Sequence, residues 1–104
     1  MSAPSDEAAR AAFLAEVAAI VRARREVSLG SNREDWTRIF VQDGEFFLEF
    51  GDVMTQDRIV SRLTPEELWS RIRGRLRNLR GFYGRDEGEV SDAELLADLR
   101  EGRG

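Results

Sequence analysis

Histidine, cysteine and lysine are all missing from the 104 residues, so every basic side chain is an arginine. The commonest general base, the thiol nucleophile and the Schiff-base amine go with them. Acid–base or nucleophilic chemistry would have to rest on Asp, Glu, Ser, Thr, Arg or Tyr83. Glu45, Glu49 and Asp52 come closest to the carboxylate pair of glycoside chemistry. Nothing in the sequence raises their pKa values or sets them in a cleft. Asp86-x-Gly88 and the Asp52/Asp57 pair lack the pattern of a calcium loop. Gly81-x-x-Gly84 is too short for a dinucleotide fingerprint and follows a helix rather than a strand. The expectation is therefore a protein that is not an enzyme, with no cofactor, no metal ligand set and no evident small-molecule substrate.

The remaining chemical potential lies in arginines. Residues 64–83 read TPEELWSRIRGRLRNLRGFY and contain Arg71, Arg73, Arg75, Arg77 and Arg80. Thr64 suits an N-cap, Pro65 the first helical position, and Glu67 completes a T-x-x-E capping box. Gly81 suits the C′ position. At about 100° per residue, Leu68, Trp69, Ile72, Leu76 and Leu79 share one core-facing stripe. Arg73, Arg77 and Arg80 line its Trp69 edge, and Arg71 and Arg75 line the other edge. Arginines in such positions commonly lay their stems over the core. Between the two rows run Ser70, Gly74 and Asn78, a strip of small residues that could admit another backbone or a phosphate closely. Phe82 and Tyr83 can either plug the core or stack on a base.

Charge is segregated along the chain. Residues 64–85 carry a net +4 and residues 86–104 a net −5, within an overall −4. Three readings follow. The acidic C-terminal helix can dock on the arginine helix and offset it. Alternatively, Leu95, Leu96 and Leu99 form the apolar stripe of a helix-in-groove ligand for another protein. Finally, the arginine row can contact phosphates of nucleic acid, against an acidic overall balance unusual for such domains.

The elements that must position these residues are legible in outline. Ser5 can cap an amphipathic helix from about Asp6 to Val27, with Ala9, Phe13, Leu14, Val17, Ile20 and Val21 as its stripe. Residues 28–35 read as a loop with Gly30 and Asn32 as turn residues. Two strands flank Asp43-Gly44, a strong two-residue hairpin signal. That turn pairs Val41 with Phe46, Ile39 with Leu48 and Thr37 with Phe50 on an apolar face. Phe40 with Phe47 and Arg38 with Glu49 occupy the other, where the aromatics are expected under a second layer. Residues 58–63 supply a third strand, and Ser91 with Glu94 opens a last helix.

The fold expected is a single small α+β domain over residues 1–104: helix, β-hairpin, strand, helix, helix, with a three-stranded antiparallel sheet. Residues 1–4 and 102–104 read as loose tails. An absence of cysteine fits a reducing cytoplasm, and no apolar run reaches the ~20 residues that span a bilayer. The function expected is that of a small accessory or regulatory protein that binds another protein or itself as a homodimer. The alternative is a nucleic-acid binder using residues 65–80.

Overall fold

In the computed structural model, residues 6–81 and 90–102 are described. Helix α1 (Asp6–Arg24) leads into strands β1 (Glu26–Ser31), β2 (Asp35–Gln42), β3 (Glu45–Asp52) and β4 (Arg58–Leu63). Helices α2 (Pro65–Leu79) and α3 (Asp92–Arg100) complete the order. The α+β class holds, but the sheet is four-stranded and antiparallel, in the order β1-β2-β3-β4, rather than three-stranded.

The extra strand comes from the segment expected as helix end and loop. Helix α1 stops at Arg24 because Arg25 turns into the left-handed region, φ 71°. Val27 then pairs with Ile39 across to β2. A bulge between Ser28 and Gly30 interrupts that ladder. The turn shrinks to the residues after Ser31, where Asn32 Oδ1 accepts from the Glu34 and Asp35 amides.

The β2–β3 register is the one the side chains require: Val41 opposite Phe46, Ile39 opposite Leu48, Thr37 opposite Phe50. Asp43 and Gly44 both have positive φ, 53° and 78°, as a tight primed turn demands. All three helices contribute to the core on the Val27, Ile39, Phe46 and Leu63 side of the sheet. Val17 and Val21, Leu68, Trp69, Ile72 and Leu76, and Leu95, Leu96 and Leu99 close it. Phe13 meets Trp69 edge-on at 4.8 Å between centroids. Leu79, expected in the α2 stripe, is instead exposed.

The opposite face of the sheet carries no second layer among the described residues, contrary to the expectation for Phe40 and Phe47. The two rings stack on each other at 5.4 Å, and the Arg38 guanidinium lies over Phe40. Beside them Glu49 is 1% exposed although it sits on the open face. Arg38 Nε donates to one of its oxygens at 2.5 Å, and Arg58 Nε forms an ion pair with the other at 2.8 Å. Trp36 lies flat across Gly51, where any Cβ would stand 2.3 Å from the indole.

Candidate functional site

Helix α2 starts as its sequence dictates. Thr64 Oγ1 accepts from the Glu67 amide, and Glu67 Oε1 accepts in return from the Thr64 amide. Gly81 follows the last turn with φ 91°. With Leu68, Trp69, Ile72 and Leu76 turned into the core, the arginines must leave on two flanks, and the two flanks have different surroundings.

The Trp69 flank is locked to α3. Arg73 Nε donates to Asp92 at 2.9 Å. The same carboxylate accepts from the Trp69 indole N–H and from Arg10 of α1, each at 3.2 Å. Burial alone would push the Asp92 carboxyl up, but the Arg73, Trp69 and Arg10 hydrogen bonds outweigh it and hold it below its ordinary value. Arg10 also forks onto Glu66 through Nε and Nη2 at 3.2 and 2.8 Å. At the other end Arg80 makes a two-point contact with Asp98, 2.6 and 3.0 Å. Arg24 donates to the Leu99 carbonyl at 2.6 Å, which ties α1 to the last turn of α3. Arg77 on this flank is half-buried.

The acidic helix therefore docks in cis, and Leu95, Leu96 and Leu99 are buried in the chain's own core. They offer no surface to another protein while α3 is seated. Phe82 and Tyr83 lie outside the described residues.

The second flank is open. Ser70, Arg71, Gly74, Arg75 and Asn78 line a groove of about 380 Å³ whose opposite wall is Leu29 and Thr37 of the sheet. Glu67, one turn before Arg71, feels its charge but gives its oxygen to the Thr64 amide. Arg75 reaches over the β1 bulge, with Nη1 3.8 Å from where a Cβ on Gly30 would stand. Its Nε is buried with no hydrogen-bond partner. The small strip of Ser70, Gly74 and Asn78 thus fronts a groove in the chain itself, a relation that needed the position of β1 to be seen.

A third surface lies at one edge of the sheet. Strand β4 ends the sheet, and nearly all of it is exposed. Burial declines along the β3–β4 hairpin, from Phe46 and Leu63 in the core to Phe50 and Ile59 at 38% and 62% exposure. Val53 and Met54 continue the exposed apolar tract at the turn. The carboxylates nearby are committed. Glu49 is held by Arg38 and Arg58, Glu45 by Arg62, and Asp52 Oδ1 accepts from the Met54 and Thr55 amides.

No helix among the described residues is long and apolar enough to cross a membrane. Comparison with models of protein families, with curated proteins and with solved structures finds no match for this chain.

Proposed function

We propose that this protein is a non-enzymatic accessory protein of the cytoplasm that works by binding protein, and that its first partner is a second copy of itself. The observation that supports this reading is the contrast between the two edges of the sheet. An unpaired edge is a template for another strand, and natural sheets blunt such edges with bulges, charges or covers. Strand β1 has its bulge between Ser28 and Gly30, and α1 and α2 pack beside it. Strand β4 has neither a bulge nor a proline. It exposes Ile59 and Val60, with Phe50 next to Ile59 across the ladder.

The two charges that could repel a second β4 are already matched. Arg58 pairs with Glu49 and Arg62 with Glu45, both on the chain's own β3. An antiparallel β4–β4 contact would extend the sheet across two copies. It would also cover apolar side chains on both faces, since Ile59 and Val60 point to opposite sides.

Light scattering on the eluting protein tests this. The expected mass is twice the 11.8 kDa of the chain, and Ile59→Lys should reduce it to a single copy without loss of the α2–α3 core. A wild-type protein that stays monomeric at high concentration overturns the reading. Nucleic-acid binding through the whole arginine row draws less support, because Arg73 and Arg80 are committed to Asp92 and Asp98.

A further inference from the structure

We propose that the groove between α2 and the β1–β2 hairpin is a binding site for the phosphate group of a small molecule, with Arg75 and Arg71 as its principal ligands. The small strip of Ser70, Gly74 and Asn78 would carry no such claim alone.

A guanidinium has five N–H donors, and a buried one left unpaired costs free energy that a folded chain ordinarily recovers with an acceptor. Arg75 Nε is buried and has none. Its neighbours along the helix show what the chain does elsewhere. Arg73 Nε and Arg80 Nε each meet a carboxylate, at 2.9 and 2.6 Å. Arg38 Nε and Arg58 Nε do the same at Glu49. At Arg75 the Nε meets no acceptor, and the residue lines a groove instead.

The other lining groups suit an anion. Arg71 adds a second guanidinium, and Ser70, Thr37 and Asn78 add two hydroxyls and an amide. Among the described residues no Asp or Glu lines the groove. Donors arriving from the helix on one side and the sheet on the other match the several oxygens of a phosphate better than the two of a carboxylate. Gly74 lies at the middle of the helical wall, and a Cβ there would meet nothing within 4 Å, so the approach is unobstructed. The volume, about 380 Å³, is within the range of sites for small organic ligands. Leu29 supplies one apolar surface for the remainder of the molecule.

Titration of isotope-labelled protein with inorganic phosphate, at constant ionic strength, tests the site by nuclear magnetic resonance. The Arg75 Nε–Hε resonance and the amides of Gly30, Thr37, Ser70 and Gly74 should move together and saturate. Acetate in a parallel titration should bind more weakly. Arg75→Lys keeps the charge but removes the planar fork, and should weaken phosphate by about tenfold or more. Its amide spectrum reports whether the fold is kept, and Arg71→Gln is the second variant if it is not. Several results would overturn the proposal: no saturable movement, movement shared equally with Arg58 and Arg62, or an unchanged affinity in both variants. Acetate binding as tightly as phosphate would also overturn it, as would a short single-stranded oligonucleotide that saturates these resonances when phosphate does not.

Discussion

The two flanks of α2 begin from the same chemistry and end in opposite states. Both consist of arginines at helical spacing beside one apolar stripe. On the Trp69 side, Arg73 and Arg80 find Asp92 and Asp98 and become part of the joint between α2 and α3. On the other side, Arg71 and Arg75 line a groove with no carboxylate in its lining among the described residues. An arginine's role is set by what the tertiary fold places within its reach. A net +4 and a net −5 in adjacent segments attract each other as a whole, yet α3 can lie against only one side of α2. The other flank keeps its cations because of that geometry.

The largest separation between the flanks is expected from paired substitutions that remove one charge from each. Asp98 is 6% exposed and receives Arg80 through two hydrogen bonds. Asp98→Asn should cost about 1.5–3 kcal/mol, the range for hydrogen bonds to charged groups. Arg75→Met, which keeps an apolar stem and removes an unpartnered donor, should cost almost nothing or stabilise. Denaturant melts of the two variants check this. A loss at Arg75 equal to that at Asp98 would mean that the groove flank is as structural as the other.

Acid should release the locked flank and leave the groove flank alone. The Asp92 carboxyl is held below its ordinary value of about 3.9. Glu66 is lowered by the Arg10 hydrogen bond. A depressed folded pKa contributes stability that is complete above the ordinary value and is lost as pH falls through the folded one. Stability should thus be flat down to about pH 5 and decline below about pH 4. The Trp69 indole N–H, which donates to Asp92, is the local reporter. Its resonance should shift within that window. A shift centred well above it would show that Asp92 is not held down by its arginines.

How far all this could be read in advance depends on the range of the forces involved. The hairpin register was legible because the two-residue Asp43-Gly44 turn sets Val41, Ile39 and Thr37 opposite Phe46, Leu48 and Phe50 on one apolar face and Arg38 opposite Glu49 on the other. The capping box and the division of arginines into two rows follow from local helix geometry alone. Strand β1 was not legible. Of its two apolar residues, Val27 pairs with Ile39 but Leu29 falls in the bulge between Ser28 and Gly30, and Gly30 and Asn32 carry turn chemistry. The end of α1 was equally hidden, since Arg25 adopts φ 71° where a glycine or asparagine would have announced the stop. Among the site residues, the arginine rows could be drawn from sequence, but not which row α3 would meet. The role of Leu95, Leu96 and Leu99 was undecidable for the same reason, because an amphipathic stripe looks alike whether its own chain or another covers it.

The finest test of the comparison is Gly74→Ala, because it sets the stability of the helix against the openness of the groove. Glycine inside a helix costs about 1 kcal/mol relative to alanine. A Cβ at Gly74 would meet nothing within 4 Å, so no clash opposes the gain. The variant should therefore be more stable by about that amount, seen as a higher denaturant midpoint with an unchanged slope. A methyl group there also stands in the helical wall of the groove, between Ser70 and Asn78 on the same face. Phosphate affinity should fall while stability rises. If stability rises and binding is unaffected, the ligand sits toward Arg71 or the sheet wall, and Gly74 is not part of the approach. A loss of stability would contradict the open space at this position and with it the groove itself. The two readouts move in opposite directions only if the chain has kept a weaker helix for the sake of what enters beside it.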